Sequence, residues 1–147
     1  MIKLLLEKGT DIAAKDHYRV MLLHEVARHG HKATVWLLLA RDDVEVNSKD
    51  IIGWTPLSSA AKYGHEAMVN LLLTRNDIEV NLKGMYHQTP LSFAAESRHE
   101  VVVKLLLAWD DIKVNSKNID NHTPLLFATE WQHKGGRSFC LHRMTSK

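Results

Sequence analysis

Short apolar stripes at helical spacing recur along this chain with a constant interval between them. Leu57, Ala60 and Ala61 fall at i, i+3 and i+4, which is one face of a helix. Val69, Leu72 and Leu73 repeat that spacing after a break at Gly64. The triplets Leu37–Leu39, Leu71–Leu73 and Leu105–Leu107 are offset by 34 residues. The same offset links Thr55-Pro56-Leu57, Thr89-Pro90-Leu91 and Thr123-Pro124-Leu125. It also links His31, His65, His99 and His133, and Val46-Asn47, Val80-Asn81 and Val114-Asn115. So many residue types at one interval mark an internal repeat, which must be found before any fold is assigned.

Each period predicts two short antiparallel helices. The pattern puts inner helices near residues 22–29, 56–63, 90–97 and 124–131, and outer helices near 1–7, 32–40, 66–74 and 100–108. Thr55 is a good N-cap, and Pro56 suits the first helical position, where no N–H is needed. Gly64 is free to take a positive φ and end the helix. Helices this short are unstable alone, so stability must come from stacking on neighbours. Asn47, Asn81 and Asn115 are expected to bond local backbone. Gly53, His87 and Asn121 share a register that suits positive φ.

Thr-Pro-Leu, then Ala-Ala, then Gly-His, then a Leu-rich stretch ending in Val-Asn resembles the ankyrin repeat. Residues 54–66 are a close match, and the likeness covers residues 1 to about 133. The segment Arg75 to Asn81 resembles the variant found in large fungal ankyrin proteins. The resemblance implies an all-α ankyrin-repeat solenoid of stacked helix–turn–helix units with projecting β-hairpin fingers, one of them spanning Val80 to Thr89. It divides the chain into a partial unit at 1–15, repeats at 16–49, 50–83 and 84–117, and a partial fourth repeat at 118–133. Residues 134–147 form a non-repeat basic tail.

The pattern weakens in three places. Met21-Leu22-Leu23 replaces Thr-Pro-Leu in the first full repeat, so its inner helix is expected to start less crisply. Residues 1–7 read as an outer helix without its inner partner. After 124–131, Gly135-Gly136 and the missing Leu stripe argue against another outer helix, so residues 135–147 are expected to be poorly ordered. Both ends lack polar capping repeats, and the expectation is part of a longer array.

Charge and composition narrow the function classes. The net charge is +2, and Lys134, Arg137, Arg143 and Lys147 supply four positive charges to a tail without acids. Taking those four away leaves residues 1–133 at −2, so the repeat body has no basic footprint for nucleic acid. The longest apolar run, Val35 to Ala40, is too short to span a bilayer. No signal-peptide cleavage site follows Glu7, and Cys140 is the only cysteine, so no intramolecular disulfide forms. The expectation is an intracellular, cytoplasmic protein.

Candidate chemistry is thin. His31, His65, His99 and His133 occupy one structural slot, and His24 stands where Ser58 and Ser92 stand, in reach of loop backbone. The rings of His29 and His31 are expected to diverge. A zinc site needs three or four convergent ligands, so no metal is expected, and no cofactor motif is present. Asp42-Asp43, Asp77 and Asp110-Asp111 recur as turn residues rather than as an acid–base pair. An enzyme using these groups is the weakest reading.

The registers that stay exposed in the resembled family are richer. They hold Tyr18 and Val20, then Ile51, Ile52, Trp54, Lys62 and Tyr63. Further along they hold Met85, Tyr86, Gln88, Glu96 and Ser97, then Ile119, His122, Glu130 and Trp131. Aromatic and Met enrichment marks protein interfaces. The rival structural reading has Ile51, Ile119 and Trp54 packing finger against finger. The resemblance implies a protein–protein interaction scaffold that grips another protein on its concave face. The sequence nominates Trp54, Lys62, Tyr63, Met85, Tyr86 and Glu96 as the partner-binding residues. No nucleic acid, membrane or small molecule is expected as partner. The alternative is a sensor segment of a multidomain signalling protein whose nucleotide-binding effector domain lies elsewhere.

Overall fold

The computed structural model describes residues 22–42, 44–133 and Thr145, with backbone alone for 131–133. Expectations for residues 1–21, which include the first outer helix, Tyr18, Val20 and the uncapped start at Met21, lie outside the described residues. So does the expected disorder of the tail, Thr145 apart.

Seven helices run through the described residues: α1 Leu22–His29, α2 Lys32–Leu39, α3 Pro56–Tyr63, α4 Glu66–Leu72, α5 Pro90–Glu96, α6 Glu100–Leu107 and α7 Pro124–His133. The inner helices α1, α3, α5 and α7 pack side by side in one row, and the outer helices α2, α4 and α6 form a second row behind them. Helices α1 and α3 match the sequence pattern at both ends, and the others depart from it by one or two residues at their C-terminal ends, where turns fray.

Local chemistry explains where each helix starts and stops. Thr55, Thr89 and Thr123 use Oγ1 to accept the backbone N–H three residues on, at 3.1, 3.2 and 3.2 Å. Each satisfies one of the N–H groups that a helix start leaves unpaired. Gly64 caps α3 with φ +73°, and Gly30 adopts φ +72° in the same register. Arg98 holds that register in the next repeat and is forced to φ +65°. Stacking therefore imposes the left-handed turn even where no glycine is present.

The core follows from the stripes. Leu57, Ala60, Ala61, Val69 and Leu72 are wholly buried. The alanines let neighbouring inner helices approach closely. Beyond each outer helix, two alternate residues of the loop plug the stack: Val44 and Val46, Ile78 and Val80, Ile112 and Val114. The projecting fingers are short turns, and no strand occurs among the described residues. Each is closed by two backbone bonds, such as Gly84 N–H to Gln88 O at 3.1 Å and His87 N–H to Gly84 O at 2.9 Å. Gly53, His87 and Asn121 take φ values of +73°, +57° and +63° at the finger turns. A single backbone bond joins successive fingers, from Met85 N–H to Ile52 O at 3.0 Å and from Ile119 N–H to Tyr86 O at 3.1 Å.

The asparagine register bonds across repeats rather than locally. Asn47 donates to Asp77 O at 2.6 Å and accepts from Glu79 N–H at 2.9 Å. Asn81 repeats both bonds with Asp111 O and Lys113 N–H, each at 2.8 Å. A carboxamide has one donor side and one acceptor side, and the extended loop of the next repeat offers both complements at the right spacing.

Candidate functional site

The histidine register is structural. His65 Nε2 lies 2.8 Å from Arg28 O and His99 Nε2 lies 3.0 Å from Lys62 O, so each ring ties its repeat to the previous inner helix. The rings lie flat over glycine: a Cβ on Gly30 would come within 2.6 Å of His65 Nδ1. His24 Nε2 reaches Ser48 O and Trp54 O at 2.9 and 3.1 Å, the loop backbone that its register suggested. The rings of His29 and His31 do not diverge. They stack with centroids 6.0 Å apart and planes 30° apart, because Gly30 reverses the chain between them. Among the described residues, no three His, Cys, Asp or Glu side chains come close enough to hold a metal ion. Asp77 is clamped by Arg75 through contacts of 3.0 and 3.1 Å. Those hydrogen bonds hold its carboxyl below the usual carboxylate range, which suits a structural anion rather than a general base.

The finger side is different. A cleft of about 540 Å³ opens between the fingers and the inner helices. Of the six residues nominated by the sequence, Trp54, Lys62, Tyr86 and Glu96 line it. Tyr63 lies on the other side of Trp54, in a smaller cleft of about 160 Å³ shared with His24 and Arg28. Its ring carries the Arg28 guanidinium at 5.8 Å. Met85 lines neither cleft but stands on a fingertip, 56% exposed.

Ile51 and Ile119 occupy the same fingertip register as Met85 and are 50% and 53% exposed, so about half of each stays open to solvent. At this register the fingers touch through backbone bonds, Met85 N–H to Ile52 O and Ile119 N–H to Tyr86 O, while the side chains stay about half exposed. Trp54 does brace a neighbour. Its indole packs on Phe93 of α5 at 4.7 Å and lies against Gly84 of the next finger, where an added Cβ would sit 3.0 Å from Trp54 Cδ1. Trp54 Nε1 is buried without a hydrogen-bond partner among the described residues.

Polar contacts fix the remaining wall. Lys62 Nζ lies 3.3 Å from Glu96 Oε2 and 5.7 Å from the centre of the Phe93 ring. Gln88 donates to the same Glu96 oxygen at 3.0 Å. Phe93, Phe127, Asn118 and Asp120, none of them nominated by the sequence, also line the cleft. Phe93 and Phe127 share a register with Ser59, and that change from small and polar to aromatic was the available signal.

Residues 1–84 match a family model of ankyrin repeats in three copies, and residues 86–119 match the model of a single ankyrin repeat. No curated protein matches the chain. Among the described residues, no helix is long and apolar enough to cross a membrane. The 34-residue stack and these matches say the same thing: the chain belongs to the ankyrin-repeat family, whose repeats are in general protein–protein interaction modules.

Proposed function

We propose that this chain is a protein-binding scaffold and that its partner sits on the finger and inner-helix face of the two central repeats. One observation carries the reading. Tyr63, Met85 and Tyr86 are 44%, 56% and 50% exposed, three large side chains held toward solvent on the fingers and the inner helices. Trp54, Lys62 and Glu96 form the braced wall between them, so the face is organised before any partner arrives. A preorganised surface loses less entropy on binding. Tyr and Trp supply contact area with few rotatable bonds and are enriched among binding hot spots. Catalysis has less support, since ankyrin repeats are typically non-enzymatic binding modules.

The test is a double substitution, Tyr63→Ala with Tyr86→Ala. Both side chains are exposed, so the denaturation midpoint should move by no more than about 0.5 kcal/mol equivalent. Binding to peptides selected on the native chain should fall at least tenfold. Unchanged binding, or a collapse of folding, would mean that the two tyrosines are structural and the site lies elsewhere.

A further inference from the structure

We infer that the larger cleft takes an arginine side chain presented on an extended segment of the partner protein, an inference that rests on the protein-binding reading above. The cleft already shows how it holds a cation. Lys62 lies over the Phe93 ring at 5.7 Å with Glu96 at 3.3 Å, an aromatic face and a carboxylate acting together. Moving one repeat along by 34 residues, Phe93 becomes Phe127 and Glu96 becomes Glu130, but Lys62 becomes Glu96. The ring and the carboxylate recur while the lysine is replaced by an acid. The second half of the cleft thus has the receptor for a cation and supplies none.

Charge agrees with this. Three carboxylates, Glu96, Asp120 and Glu130, line the cleft against the single ammonium of Lys62. Glu96 Oε2 is engaged by Lys62 and Gln88, while the Asp120 and Glu130 carboxylates have no partner among the described residues. Tyr86 and Phe127 supply ring surface beside them, and His122 meets Phe127 edge-on at 5.5 Å. The ring faces add cation–π attraction to the pull of the carboxylates, so a cation placed there gains more than it would from surface charge alone. Arginine fits better than lysine. Its planar guanidinium stacks on a ring and offers a fork of donors to more than one carboxylate at once. A volume of about 540 Å³ leaves room for the residues flanking the arginine.

The experiment is selection of random linear peptides displayed on phage against the full chain, followed by affinity measurement with the selected peptide made synthetically. The selected sequences should share an arginine. Replacing it by citrulline, which keeps the shape and removes the charge, should weaken binding at least tenfold. Asp120→Asn with Glu130→Gln should weaken the arginine peptide comparably while leaving the denaturation midpoint and the citrulline peptide's affinity unchanged. Two outcomes overturn the arginine inference: selected peptides with no arginine in common, or equal binding of the citrulline form. If such peptides still lose binding to the Tyr63→Ala, Tyr86→Ala variant, the protein-binding reading survives. Selection of no peptide counts against both.

Discussion

Where the chain leaves each outer helix and enters the finger, successive repeats do the same thing with the same residues. Asn47 and Asn81 make matching pairs of bonds to the next loop, and Lys49 and Lys83 each donate to a carbonyl 34 residues on, at 2.8 and 2.9 Å. On the finger side, equivalent positions differ. Asp50 and Asn118 close their fingers by accepting two backbone N–H bonds each, at 2.8 to 3.0 Å. Gly84 holds that register in the middle finger and has no side chain to do so, and the Trp54 indole lies where one would begin. The missing side chain at Gly84 leaves the Trp54 indole room to lie against the finger. Uniform registers thus hold the stack together, and divergent registers shape a surface.

That contrast predicts large stability effects in the stack and small ones on the face. Leu72 is wholly buried between outer helices, so Leu72→Ala should cost about 2–5 kcal/mol, enough to unfold a short array. Urea denaturation measures it. A midpoint within error of the parent chain would break the comparison at its strongest point.

Gly64 and Arg98 sharpen it, since the same left-handed turn is built from opposite residues. Gly64→Ala should destabilise by at least about 1–2 kcal/mol from backbone strain alone. Its new Cβ would also collide with the His99 ring, which Lys62 O holds in place. Arg98→Gly should instead stabilise, by no more than about 1 kcal/mol, because the strain goes while the unfolded chain gains freedom. Thermal midpoints moving in the same direction for both variants would show that strain is not what separates them.

The smallest effect concerns acid. Hydrogen bonds from Arg75 depress the Asp77 carboxyl, so folding is favoured above the ordinary carboxylate range, and that gain is lost as pH falls through the depressed value. The Asp77 side chain is more than half exposed, though Arg75 is mostly covered, and that exposure limits the gain to about 1 kcal/mol or less. Asp77→Asn should therefore lower the urea midpoint slightly at neutral pH and not at all in strong acid. A constant gap at both pH values would show that Asp77 acts by packing rather than by charge.

The helices and their order were legible because they depend on period, apolar spacing and caps, all of which are local. Thr55, Pro56 and Gly64 mark the bounds of α3 in the sequence itself. The candidate face was legible only in part. Tyr63 and Tyr86 could be nominated from register, but their placement on opposite sides of Trp54 could not. Phe93 was invisible as a wall residue because an apolar residue on an inner helix reads as core, and it is indeed only 2% exposed.

By itself, then, the sequence determined the repeat, the helix pairs, the buried stripes and the glycine or asparagine turns, since each follows from neighbours within one period. Only the tertiary structure decided what one repeat does to the next. It turned Asn47 and Asn81 from local caps into ties between loops. It brought Lys62 of one repeat over Phe93 of another, and it set Asp120 and Glu130 into the same cleft. The reason is geometric: residues 34 apart in the chain become neighbours only after stacking, and which atoms then meet depends on side chains contributed by two repeats at once.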